Sequence, residues 1–199
     1  MSGYKKILLS DMIEELGEDR AKEILSEFSC PLNSDVEKFL KSTSIEFAKQ
    51  RIAATHLLFC DYRGKLVLVG YFTVALKTFK VVKSCLSKTK QKQISKFGTY
   101  DSDTKSYNIP APLIAQLGKN FTNGYNKLIT GDELLSIACA NVNECQLLLS
   151  GKIVYLECEE KQKLIDFYES NGFCKFGKRK LDKDEDVDGE YLCQMLKYL

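Results

Sequence analysis

The sequence predicts an α+β fold, and three observations carry that reading. Apolar residues recur at spacings of three and four from Leu9 to Phe28. Two long β-type runs flank Arg63–Gly64, and Tyr107–Cys139 reads as strand, polar loop and helix. The early strands do not alternate with helices, which argues against a doubly wound sheet. A length of 199 residues, 44% of them hydrophobic, fits one domain over residues 1–199 with its own core.

Charge and cysteine usage narrow the class further. A net charge of +2 favours no partner by itself. No apolar run reaches the length of a membrane span, and the Lys5–Lys6 start is too short for a signal peptide. A soluble, cytoplasmic protein without membrane association is expected. The eight cysteines form no C-x-x-C pair, and one histidine cannot complete a zinc-finger spacing, so no metal is expected. Free thiols acting as small buried hydrophobes are the expected state.

Taken in order, residues 8–28 form a helical segment that Gly17 divides, with Ser10 and Asp11 as caps and an acidic outer face. Residues 1–27 are read as a helical extension. Pro31 closes it, and Ser34 with Glu37 has capping-box spacing for a helix to about Lys49, with Val36, Phe39, Leu40, Thr43 and Phe47 inward. Thr55–Tyr62 and Lys65–Val81 then make an antiparallel hairpin about Arg63–Gly64. His56, the only histidine, sits among apolar neighbours and reads as a packed residue rather than a base.

Seven lysines and no acid lie between Leu76 and Tyr100. Such a run can attract phosphate-bearing partners, but a solvated helix and loop is the commoner explanation, and lysines without interleaved aromatics give a weak nucleic-acid signal.

The central stretch begins with a short apolar strand, Leu113–Leu117, preceded by two prolines. A loop of Asn, Gly and Lys follows, and Thr130 with Glu133 has capping-box spacing, so the next helix begins at Gly131 or Asp132. A helix N-terminus after such a loop offers unpaired N–H groups and partial positive charge to an anion. The same pattern also suits an ordinary strand–helix connection.

Lys152–Glu159 reads as a strand and Lys161–Asn171 as a helix stopped by Asn171–Gly172; a last strand pair surrounds an acidic turn. That turn, Asp182–Glu190, mimics a calcium loop, but Met195 stands where the bidentate glutamate belongs. A charged hairpin turn is the better reading. Neither a Walker nor a dinucleotide glycine pattern is present.

Leu134–Leu135 after Gly131, followed later by Phe167, Tyr168, Gly172 and Phe173, resembles the GNAT superfamily of N-acetyltransferases. In that family a glycine-rich pyrophosphate loop ends in paired leucines, and a later helix carries F-Y-x-x-x-G-F. The chain departs at Asn126–Thr130, where two glycines are absent; Gly124 lies further upstream. FSCPLNSDVEKFL, GYFTVALK and IPAPLIAQL are similar to the tRNA-acetylating toxin branch over roughly residues 28–175.

The resemblance implies a mixed, mostly antiparallel central sheet with helices on both faces, and acetyl-coenzyme A as cofactor. The coenzyme would lie along Leu117, Gly118 and Lys119 and the loop Asn126, Lys127, Leu128, Ile129, Thr130, Gly131 and Asp132. Amides from Leu128 to Asp132 would cradle its pyrophosphate, Lys119 or Lys127 would pair with a phosphate, and the Leu113–Lys119 strand would pair with the pantetheine arm. Tyr168 would protonate the departing thiolate, an amide near Leu117 or Gly118 would hold the oxyanion, and Glu157 would receive the amine proton through water. The acceptor would be a primary amine of a small molecule or protein, with the aminoacyl group of charged tRNA as runner-up. The resemblance also admits a homodimer, and a coenzyme-binding module without catalysis.

Overall fold

A computed structural model describes residues 3–181 and 189–199. Its strands are β1 (Tyr4–Leu8), β2 (Ala54–Tyr62), β3 (Lys65–Val82), β4 (Thr99–Asp101), β5 (Ser106–Lys119), β6 (Ile153–Glu159), β7 (Cys174–Lys180) and β8 (Tyr191–Tyr198). They form one sheet in the order β1-β2-β3-β5-β6-β8-β7, with β4 beside β5. The pairs β1–β2, β2–β3, β4–β5, β6–β8 and β7–β8 are antiparallel. The helices are α1 (Leu9–Leu16), α2 (Glu18–Ser26), α3 (Ser34–Lys38), α4 (Ser44–Lys49), α5 (Lys88–Ile94), α6 (Gly131–Leu149) and α7 (Gln162–Ser170). The expected α+β class, with a mixed, mostly antiparallel sheet, is what the chain adopts.

The chain divides into two compact units. The first holds residues up to Ala75 together with Ile114–Ala138. Leu9, Leu25, Phe28, Leu40, Leu57 and Tyr71 are fully or almost fully buried in its core. Gly17, at φ 83°, separates α1 from α2 as expected and donates to the Ile13 carbonyl. Neither Ser10 nor Asp11 caps α1: the N-cap is Leu8, because the chain enters the helix directly from β1. Strand β1 itself was not anticipated.

The second helical segment is capped one residue earlier than Ser34. Asn33 is extended, and its side-chain oxygen accepts from Val36 N at 3.1 Å. Glu37 instead accepts from Cys30 N at 2.7 Å. A π-turn at Phe39–Thr43 inserts an extra residue, which rotates the following face by about 100°. The buried set of α4 is therefore Ser44, Ile45 and Ala48, where Thr43 and Phe47 were expected. The hairpin turn is as read: Arg63 and Gly64 are both left-handed, at φ 54° and 75°, as a two-residue type I′ loop requires.

The second unit holds Leu76–Leu113 and the chain from Cys139. Phe79, Ile94, Ile109, Tyr155 and Leu196 are buried in its core. The two prolines lie inside β5 rather than before it, since that strand starts at Ser106. Gly98 admits no side chain, because a Cβ there would stand 2.6 Å from the Asn108 carbonyl. Helix α7 stops at Gly172, which is left-handed at φ 83°. Strands β7 and β8 flank the acidic turn, of which residues 182–188 lie outside the described residues.

All eight cysteines are free, and four of them (30, 139, 158 and 193) are buried. No helix among the described residues is long and apolar enough to cross a membrane. No cluster of potential ligands could hold a metal ion among them either.

Candidate functional site

In the first unit, the end of β5 is fixed by a buried asparagine. Asn120 donates through Nδ2 to the Leu68 carbonyl at 2.9 Å, and its Oδ1 accepts from Ser29 N and Thr122 N at 3.0 and 3.1 Å. Every polar atom of that side chain lies in the low-dielectric interior with a partner, which makes the turn after β5 rigid. The sequence reading passed over Asn120, whose only signal was an amide side chain directly after an apolar strand. Gly118 is required by packing: a Cβ there would meet Val36 Cγ1 at 2.4 Å and Tyr71 Cε1 at 3.4 Å.

The loop then bends through left-handed Asn123 and Gly124. Lys119 Nζ donates to the Asn126 carbonyl at 3.0 Å, so the ammonium is held against the loop. Lys127 is exposed. Leu128 N donates to the Tyr125 carbonyl at 2.9 Å, and the Leu128 carbonyl accepts from Tyr4 Oη at 2.8 Å. The first strand thus ties down the loop that precedes α6.

The capping box at Thr130 is fully formed. Glu133 Oε2 accepts from Thr130 N and Oγ1, both at 2.8 Å, and Thr130 Oγ1 accepts from Glu133 N at 3.1 Å. These bonds, the backbone one first, hold the Glu133 carboxyl below its usual range. Of the five amides expected to cradle a pyrophosphate, those of Leu128 and Thr130 are therefore engaged within the loop. The amides of Ile129 and Gly131 have no hydrogen-bond partner among the described residues.

In the second unit, Tyr168 lies on α7, half-buried, with Phe167 and Phe173 edge-on to its ring at 5.0 and 5.9 Å. Burial pushes its phenol well above the usual tyrosine value, with the Cys158 thiol as the smaller cause. Its hydroxyl has no hydrogen-bond partner among the described residues. Glu157 differs: Arg179 Nε donates to Oε2 at 2.5 Å and Gln194 Nε2 to Oε1 at 2.8 Å. Successive strand side chains point to opposite faces. Glu157 shares the Tyr155 face of β6, whereas Cys158, which acts on Tyr168, takes the other. Tyr168 and Glu157 are not brought together.

His56 is half-buried and stacked on Phe72 at 4.8 Å, and burial lowers its pKa to about 4. It is a packed residue, as expected.

No known family profile matches the chain, and no curated protein matches it in sequence. Solved structures do match. A tyrosine-to-phenylalanine variant of KacT is similar at 17% identity, with a TM-score of 0.64 over 97% of this chain and 94% of that one. AtaT complexed with acetyl-methionyl-tRNAfMet is similar at 20% identity, with a TM-score of 0.62 over 96% and 93%. The fold is a GNAT fold. A third GNAT-fold match, a mutant AtaT toxin bound to the C-terminus of the antitoxin AtaR and acetyl-CoA, has 16% identity and a TM-score of 0.56 over 97% and 92%.

Proposed function

We propose that the chain is an acetyl-coenzyme-A-dependent N-acetyltransferase whose acceptor is the amino group of an aminoacyl-tRNA. The observation that carries the reading is Tyr168: an unpartnered phenol, protonated at neutral pH as any tyrosine of ordinary pKa about 10 is, on the helix where the GNAT resemblance expects the acid. The likeness to AtaT with acetyl-methionyl-tRNA ranks charged tRNA ahead of a small-molecule or protein amine. The reading implies a cytoplasmic protein, since charged tRNA is there.

The residues of the loop fit the coenzyme. Unpartnered amides at Ile129 and Gly131 stand at the start of a 19-residue helix, where N–H groups and the macrodipole favour a diphosphate. Lys119 and Lys127 supply positive charge. Asp132 and Glu133 oppose it, but the Glu133 carboxylate is turned into its own cap. When bound, acetyl-coenzyme A supplies an activated thioester. As the resemblance implies, Tyr168 of the second unit would hold a proton at Oη for a thiolate, and a backbone N–H near Leu117 or Gly118 of the first would orient an acyl oxygen. Glu157, with both oxygens occupied, fixes β6 against its neighbours, and the proton lost by the acceptor amine passes to water.

The test is mass spectrometry of charged tRNA incubated with the protein and acetyl-coenzyme A. Acetylated aminoacyl ends support the reading. Unmodified tRNA beside acetylated free amines or proteins would move the acceptor to those classes.

A further inference from the structure

The lysine-rich segment of the second unit is a built surface rather than a loose loop. Ser87 caps α5 by accepting from Lys90 N at 3.3 Å. Gln91 Nε2 donates to the carbonyls of Lys83 and Leu86 at 3.0 and 2.9 Å, and Ile94 is fully buried in the core. With the inner side so anchored, Lys88, Lys92 and Lys96 are exposed while Lys90 is half-buried. The exposed three line an open depression of about 420 Å³, together with Thr89 and Gln93.

The lysines of this segment divide by partner. Lys80 pairs with Asp101 at 3.5 Å, and Lys83 lies over the Tyr100 ring at 5.4 Å. Lys88, Lys92 and Lys96 have no ion pair among the described residues, and no acid occurs between Leu76 and Tyr100. Lys88 and Lys92 stand one turn apart, about 6 Å along α5, and Lys96 lies in the turn just past its last residue, Ile94. The lining contains no large apolar side chain, which a protein-binding patch would carry at its centre. Positive charges in a row, with Thr89 and Gln93 between them, suit a phosphodiester backbone.

We propose that the surface formed by Lys88 and Lys92 of α5 and Lys96 just beyond it docks the phosphate backbone of RNA. The inference rests on the aminoacyl-tRNA reading and adds where the RNA body is held. Contacts of this kind position the RNA without reading its sequence.

The experiment is binding of fluorescently labelled, uncharged tRNA across a salt series. It compares the native protein, the triple variant Lys88→Gln/Lys92→Gln/Lys96→Gln, and a charge-matched control, Lys5→Gln/Lys38→Gln/Lys65→Gln. Circular dichroism verifies that each is folded. The expected result is affinity weaker by on the order of tenfold near about 0.1 M salt for the α5 variant, and a log–log salt slope shallower by about two to three. The control should keep the native slope to within about one. Native tRNA binding that the α5 substitutions leave unchanged, or lower only as much as the control, overturns the docking face and leaves the acceptor reading standing. Failure of the native protein to bind tRNA overturns both. Binding of polyglutamate instead of tRNA, lost in the α5 variant, would assign the face to an acidic protein and likewise overturn the proposal.

Discussion

Arg179 donates from Nε to Glu157 Oε2 at 2.5 Å, and this ion pair decides what the Glu157 carboxylate can do. With one oxygen on the guanidinium and the other on Gln194, the carboxylate has both oxygens committed to bonds with side chains of neighbouring strands. Glu157→Gln should therefore leave the acetylation rate within a few-fold of native. It should lower stability by about 1 kcal/mol, since the pair is only partly shielded from water. Steady-state rates and denaturant midpoints check both halves. A hundredfold fall in rate would restore Glu157 as the base.

The loop before α6 makes a second prediction. A ligand present at a hundred times its dissociation constant stabilises the folded state by about 2.7 kcal/mol, or about 5–10 °C for a chain of this size. Acetyl-coenzyme A should raise the native melting temperature by about that much. Gly131→Glu, which sets a negative side chain beside the unpartnered amides, should abolish the shift with little change in the ligand-free melting temperature. An undiminished shift would remove these amides from the coenzyme site.

His56 gives a pH dependence of stability. Burial lowers its folded-state pKa to about 4, against 6.5 as its ordinary value. The unfolded chain thus binds more protons between those values, and stability rises with pH through that window. The contribution is complete above about pH 6.5 and is lost as pH falls toward 4. His56→Gln should flatten this part of the stability profile, measured by urea unfolding at a series of pH values. An unchanged slope would assign it to other groups.

Tyr168→Phe keeps the ring between Phe167 and Phe173 and removes one hydroxyl that has no bond to lose among the described residues. Folding and the coenzyme-induced melting shift should persist, while the acetylation rate falls by on the order of a hundredfold. Full activity would leave Tyr168 as packing.

Much of this was legible in the sequence because local rules govern it. The Arg63–Gly64 turn, the Gly17 break, the Thr130–Glu133 box and the Gly172 stop each depend on residues within four positions. Strand β1 was missed because Tyr4–Leu8 has only five residues, and its partner β2 lies some fifty residues on. Asn33 and Ser34 are both good caps, and only the extended backbone at Asn33 decides between them. The π-turn at Phe39–Thr43 has no propensity signature, yet it rephases the whole α4 face. The Glu157 clamp was beyond reach because its partners, Arg179 and Gln194, come from later strands paired across the sheet. Asn120 was invisible for the same reason, since two of its partners lie 52 and 91 residues away.

The most direct measurement is transfer of isotopically labelled acetyl from acetyl-coenzyme A to charged tRNA, read after nuclease release of the aminoacyl-adenosine, with native protein and Tyr168→Phe side by side. The account predicts label on the α-amino group with the native protein and about a hundredfold less with the variant. Label absent from the aminoacyl end with native protein, under conditions where acetyl-coenzyme A raises its melting temperature, would contradict it.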